Sequence, residues 1–269
     1  MLLPDVEYAR PSSVQEALRL LSEHDGARPL AGGQTLVNVM KARAAAPDVL
    51  VDLQDLAELK TIDLGADGTV TLGAMVTYSE VIGSAEARAR PILGEVCAQI
   101  ADVQVRNRGT VGGNICSNDP TNHLPPLLVA LGATMTIAAS GGQRTVPAEE
   151  FFVGVYQTAA GPGELLTTIS IPAGKGDGFA AVTIGKDGTC IVNVAASLDG
   201  ASPRVVVGCV DAVPIVLRPA ADDEDAVRSA VRGANLQPPS DVHASADYRR
   251  HLAEVLAARA IRQAQGRRN

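Results

Sequence analysis

The sequence predicts an α+β chain in two domains, and three observations carry that expectation. A strand, a glycine turn and a helix follow one another between Arg28 and Asp52. An alternating β pattern takes over from Asp63, and beyond about residue 178 strand-like runs group together ahead of the helices that end the chain. The 269 residues are enough for two hydrophobic cores, which rules out a single small module. With 46% hydrophobic and 20% charged residues the composition is that of a folded protein. A net charge of -7, with three Phe, four Tyr and no Trp, argues against nucleic acid, because phosphates call for clustered Lys and Arg and bases for aromatic faces.

The first domain is expected over 1–174, in subdomains of about 1–55 and 56–174. Ser13 and Glu16 form a capping box ahead of the apolar series Val14, Ala17, Leu18, Leu20 and Leu21, which predicts a helix over 13–23. Arg28 to Ala31 reads as a strand, Gly32-Gly33 as a turn, Thr35 to Arg43 as a helix and Val49 to Asp52 as a second strand: a small βαβ unit. Thr69 to Met75 alternates as a strand, and Thr77 with Glu80 caps a short helix. Apolar spacing through Ile92, Leu93, Val96, Cys97, Ile100 and Ala101 predicts one longer helix over 90–103, followed by the loop Arg106 to Asn114. Strands are expected near 133–138 and 165–171, and the Gly-, Lys- and Asp-rich stretch Pro172 to Gly178 reads as a linker. The second domain, 175–269, then has strands at Phe179–Ile184, Ile191–Leu198 and Arg204–Val210, with helices near 222–232 and 247–265.

Cys97, Cys116, Cys190 and Cys209 include no C-x-x-C pair, so neither a zinc ribbon nor an iron–sulfur loop is expected, and four packed thiols are. The N-terminus has no basic or apolar signal region. The longest apolar stretch, Leu124 to Ala139, is interrupted by Pro125, Pro126 and Gly132 and is shorter than the ~20 residues of a membrane span, so a cytoplasmic protein is expected. Glu149-Glu150 and Asp222 to Asp225 read as solvated or helix-start charge. The Arg-rich segment Tyr248 to Arg268 reads as a solvated face over an apolar stripe, and His24, His243 and His251 lack metal-ligand spacing.

Two segments carry paired glycines beside small polar residues: Ala31-Gly32-Gly33-Gln34-Thr35-Leu36 and Thr110-Val111-Gly112-Gly113-Asn114. Without a Cβ the backbone can turn its N–H groups onto a bound anion, and the helix expected after Thr35 adds its positive end; a pyrophosphate suits such a nest. Neither segment matches G-x-G-x-x-G or a P-loop.

At these residues the chain resembles the FAD-binding medium subunits of the molybdenum hydroxylases. The likeness runs through Pro29 to Leu36, Arg106 to Asn114 with Asn118-Asp119-Pro120 after it, Gly163 to Leu166 ahead of Ile171-Pro172, and Ser245 to Leu252. It implies a two-subdomain FAD-binding domain of the vanillyl-alcohol-oxidase (PCMH) type, followed by the C-terminal α+β domain of the carbon monoxide dehydrogenase flavoproteins. It further implies that Ala31 to Leu36 and Thr110 to Asn114 form the two FAD diphosphate loops, that Ala101 and Leu166 touch the cofactor, and that the chain carries no general acid or base. Leu166 is otherwise a core residue. Where many members have an Asp that bonds the FAD nucleotide, this chain has His123. Where they have a Lys and a Tyr close to the flavin ring, it has Thr183 and no Tyr, Lys186 being the nearest lysine.

The resemblance also implies partners: a large subunit with the molybdopterin cofactor and a small subunit with two [2Fe–2S] clusters, assembled as a dimer of heterotrimers. This chain is then an oxidoreductase subunit that passes electrons from the clusters through FAD to an external acceptor. A stand-alone FAD oxidase of the same fold, and a structural subunit that has lost FAD, are the competing expectations.

Overall fold

A computed structural model of the chain describes residues 3–185 and 188–268. Its first subdomain is a three-stranded parallel sheet of β1 (Glu7–Ala9), β2 (Ala27–Leu30) and β3 (Val49–Asp52), in the order β1-β3-β2. Helix α1 (Val14–Glu23) and helix α2 (Leu36–Lys41) make the crossovers. Ser13 caps α1 through a 3.2 Å bond from the Glu16 amide, while the Glu16 carboxylate reaches one residue further back than a capping box requires, to the Ser12 amide at 2.7 Å. Val14, Ala17, Leu18 and Leu21 bury the face against β3, as the spacing implies.

The second subdomain is a five-stranded antiparallel sheet ordered β4-β5-β10-β6-β7. Its strands are β4 (Ile62–Leu64), β5 (Val70–Gly73), β6 (Thr134–Ala139), β7 (Gly142–Pro147) and, after the hairpin β8 (Phe152–Gly154) and β9 (Gln157–Thr158), β10 (Leu165–Ile171). The capping box at Thr77 and Glu80 forms in both directions and starts α3 (Tyr78–Gly83). The single helix expected over 90–103 is instead two, α4 (Ile92–Cys97) and α5 (Val103–Arg108), because Ala101 takes a left-handed φ of 44° and Asp102 caps a new start. The expected loop Arg106 to Asn114 is likewise mostly helical, split by Gly109-Thr110 between α5 and α6 (Val111–Ser117). Helices α7 (Leu124–Ala130) and α8 (Ala148–Phe151) complete the layer.

The remainder is an antiparallel sheet of β11 (Asp177–Thr183), β12 (Cys190–Ser197), β13 (Arg204–Gly208) and β14 (Ile215–Leu217), with α9 (Glu224–Gly233) and α10 (Ala246–Arg268) after it. An alanine-rich face carrying Ala257, Ala260 and Ala264 lets α10 lie so close that a side chain at Gly178 of β11 would meet its backbone. Most of the arginines of its Arg-rich segment are paired within the chain, for example Arg249 with Asp241 at 2.6 Å and Arg262 with Glu224.

The other face of this sheet does not stand apart. Phe179, Ala195 and Val206 join the same buried cluster as Leu124, Leu127 and Leu128 of α7. A buried ion pair lies beside that seam. Arg90, 1% exposed, donates to both oxygens of Asp177 at 2.7 and 2.8 Å, to the Pro172 carbonyl, and to Asp199 at 3.2 Å. Desolvating a guanidinium is costly, and this one is compensated by having its donors filled. The stretch read as a linker therefore has its last residues in β11, held by Arg90 just ahead of α4. Replacing Arg90 by Met removes the donors and leaves Asp177 charged and unpaired; unfolding by urea is expected to show a loss of about 3–5 kcal/mol.

Candidate functional site

The two glycine segments, Ala31 to Leu36 and Thr110 to Asn114, lie far apart in sequence and are brought edge to edge. A methyl at Gly32 would strike the carbonyl of Arg108, at 2.8 Å from its carbon, and lie 2.9 Å from the Cα of Gly109. One at Gly113 would lie 3.5 Å from the Ala31 Cβ. Gly112 sits equally close to Ala74 at the end of β5, where a methyl would come within 2.6 Å of the Ala74 Cβ. So Gly32 is set by contact between loops and Gly112 by contact between helix α6 and the sheet, whereas Gly33 is set by its φ of 72°, which disfavours a side chain.

The loops differ in what they offer a ligand. Among the described residues, no acceptor takes the amides of Gly32, Gly33, Gln34, Thr35 or Leu36, which form a continuous row of free donors running into α2. In the second loop the corresponding groups are already bonded. Val111 N–H donates to Val76 O at 2.8 Å, Gly112 to Ala74 O at 2.9 Å, Gly113 to Thr110 Oγ1 at 3.0 Å and Asn114 to Thr110 O at 3.0 Å. The expectation of an N–H nest therefore holds for the first loop only; the second is a folded shelf beside it. Asn114 supplies one open group, its buried Oδ1, which has no partner.

Three other residues singled out in the sequence lie elsewhere. Leu166 is 3% exposed and packs in the main core from β10. Ala101 is half-buried at the kink between α4 and α5. His123 is 6% exposed in the seam between α7 and the C-terminal sheet, with Nδ1 3.1 Å from Asn193 Nδ2 and its ring edge-on to Phe179 at 5.3 Å. Its nearby thiols do not form a metal site: among the described residues no group of three His, Cys, Asp or Glu could hold an ion. All four cysteines are free. Burial pushes the Cys97 thiol up to about 12, while Cys209, with help from His123, draws Cys190 down. Thr183 ends β11 and donates to Gly185 O at 2.8 Å; Lys186 lies outside the described residues. A half-open cleft of about 590 Å³ between α1 and strands β6 and β10 includes no residue of either glycine loop in its lining.

A row of free amides at a helix start, backed by a second glycine segment, is an arrangement that suits a phosphorylated group. The profile of the family described as "FAD binding domain in molybdopterin dehydrogenase" matches residues 4–174, and the chain belongs to that family. Over 99% of both chains it is 37% identical to the carbon monoxide dehydrogenase medium chain of Afipia carboxidovorans. It is 34% identical to the nicotine 6-hydroxylase medium subunit of Paenarthrobacter nicotinovorans, over 99% of this chain and all of that one. Its structure superposes on a chain of quinoline 2-oxidoreductase from Pseudomonas putida 86 with a TM-score of 0.93 and 35% identity, covering 100% of each. The chain is thus an oxidoreductase subunit of the medium, FAD-binding kind.

No sequence signal separated the free amides of the first loop from the bonded ones of the second, because both read as Gly-Gly beside Thr. Two of the acceptors that occupy the second set, Val76 O and Ala74 O, come from beyond a distant strand end, and the other two are oxygens of Thr110. The burial of His123 leads to a test. His123→Ala removes the bond to Asn193, whose Oδ1 is already unpaired, and should lower stability by about 1–3 kcal/mol in thermal or urea unfolding while leaving FAD affinity unchanged. A matching loss of FAD affinity would instead make it a ligand.

Proposed function

We propose that this chain is the FAD-holding, electron-relaying subunit of a multi-subunit molybdenum hydroxylase or dehydrogenase. The observation that carries the reading is the row of unbonded amides from Gly32 to Leu36 lying against the second glycine segment. Five donors, the start of α2 and the open Asn114 Oδ1 fit a group with a diphosphate at its centre and polar rings at its ends. Gly32, Gly33, Gln34, Thr35 and Leu36 bind the diphosphate by their N–H groups, and Ala31 and Gly113 leave space for its close approach. Thr110, through its cap on Gly113, keeps the shelf rigid. Bound there, the flavin supplies redox chemistry that joins two-electron and one-electron partners.

The chain's own residues bind and orient the cofactor and move no proton. The molybdopterin cofactor and the [2Fe–2S] clusters belong to a large and a small partner subunit, a reading supported by the relatives' names as medium chains and medium subunits. A dimer of heterotrimers and a cytoplasmic location belong to the same proposal. So does a division of the chain into 1–174 and 175–269, to which the extent of the family match lends support. Among the described residues, no helix is long and apolar enough to cross a membrane.

Titration of the purified chain with FAD, followed by flavin fluorescence, should saturate at one FAD per chain. Gly33→Val, placing a branched side chain at a φ of 72°, should abolish retention. A colourless protein that cannot be reconstituted would point to a subunit that has lost its flavin, and full retention by the variant would refute the loop assignment. Co-expression with molybdenum- and iron–sulfur-binding partner subunits should yield a complex; turnover of an organic substrate by this chain alone would favour the stand-alone oxidase.

A further inference from the structure

The kink that divides the expected helix over 90–103 is closed by two side chains, Arg106 and Asp102. Ala101 adopts φ of 44°, a conformation that costs an L-residue with a Cβ on the order of tenfold in population. Arg106, five residues on in α5, turns its guanidinium back onto the kink and donates from Nη1 to the Ile100 carbonyl at 3.0 Å and to the Ala101 carbonyl. It forms no ion pair with any carboxylate among the described residues, so its donors serve the backbone. Asp102 closes the same turn from the other side by capping Val105 at 2.8 Å. Helix α5 then runs into Arg108 and Gly109, the two residues against which Gly32 packs.

We propose that Arg106 is a positioning residue of the cofactor site: by bridging the carbonyls of Ile100 and Ala101 it holds the left-handed kink, and so the α5 segment that backs the first glycine loop. The inference rests on the FAD reading for its functional consequence but not for its mechanics. An arginine suits the task because Nη1 carries two N–H donors held in the rigid guanidinium plane, so that one nitrogen meets both carbonyls. The short helix cannot slide or unwind while its fourth residue is tied to the turn before it. Gly32 therefore meets a fixed wall.

The test uses the full chain with Arg106→Met, which keeps an aliphatic stem and removes the donors, with Ala101→Gly, and with the two combined. Glycine adopts φ above zero without the penalty of a Cβ, so it relieves the need for a clamp. Arg106→Met is expected to weaken FAD binding about tenfold in the parent chain and far less when introduced into the Ala101→Gly chain, where the kink no longer needs a clamp. An arginine that merely packs or adds charge would not be rescued by a glycine five residues away. Hydrogen exchange at the Val105 and Gly109 amides, measured without FAD, should rise in Arg106→Met and fall back in the double variant. Wild-type affinity and exchange in Arg106→Met would overturn the proposal, as would an equal tenfold loss on adding Arg106→Met to the Ala101→Gly chain. If no form binds FAD, the FAD reading fails and the exchange data alone decide the clamp.

Discussion

The contact of Gly32 with the Arg108 carbonyl is the constraint on which the site depends. It joins the end of a parallel strand in one subdomain to the end of a short helix in the other, at a separation no other residue type would allow. With that contact made, the free amides of Gly32 to Leu36 lie beside Gly113, and the interior row of the second loop is turned onto Val76 and Ala74. The consequence is a division of labour: one loop keeps its donors for a ligand, and the other gives them up to become the surface on which the first rests.

A second constraint holds the C-terminal sheet in place. Arg90 links the turn ahead of α4 to the first residue of β11, and α7 presents apolar side chains to β12 and β13 in a core shared with the FAD-type domain. His123 belongs to this seam. A carboxylate in the same surroundings, beside Phe179 and buried to the same degree, would face a desolvation cost that an imidazole bonded to Asn193 does not. The residue that departs from the family pattern is thus accommodated by packing between the sheet and α7.

Much of the architecture was readable from local signals. The periods of α1 and β3, the capping box at Thr77 and Glu80, and the grouping of strands before α10 follow from residues close in sequence, and the structure has each of them. Local signals failed where a neighbour far along the chain decides. The apolar period continues through Ile100 and Ala101, yet the helix breaks there, because Asp102 and Arg106 close a tighter turn than the period can express. Strand β7 and the hairpin of β8 and β9 escaped because their residues alternate weakly and are ordered by pairing with β6 and by Asn118, whose side-chain amide donates to Gly154 O at 2.7 Å.

For the site, the sequence by itself determined the chemistry: two Gly-Gly segments with Thr beside them, a family likeness along the whole chain, and no clustered cysteines. These depend only on which residues stand next to each other. Which amides remain free, which glycine is required by its φ and which by a touching carbonyl, and which elements surround His123, Leu166 and Ala101 were decided by the tertiary structure. A backbone N–H carries no mark in the sequence of whether a strand end from another subdomain has already taken its hydrogen bond, and that is the property on which binding through the backbone depends.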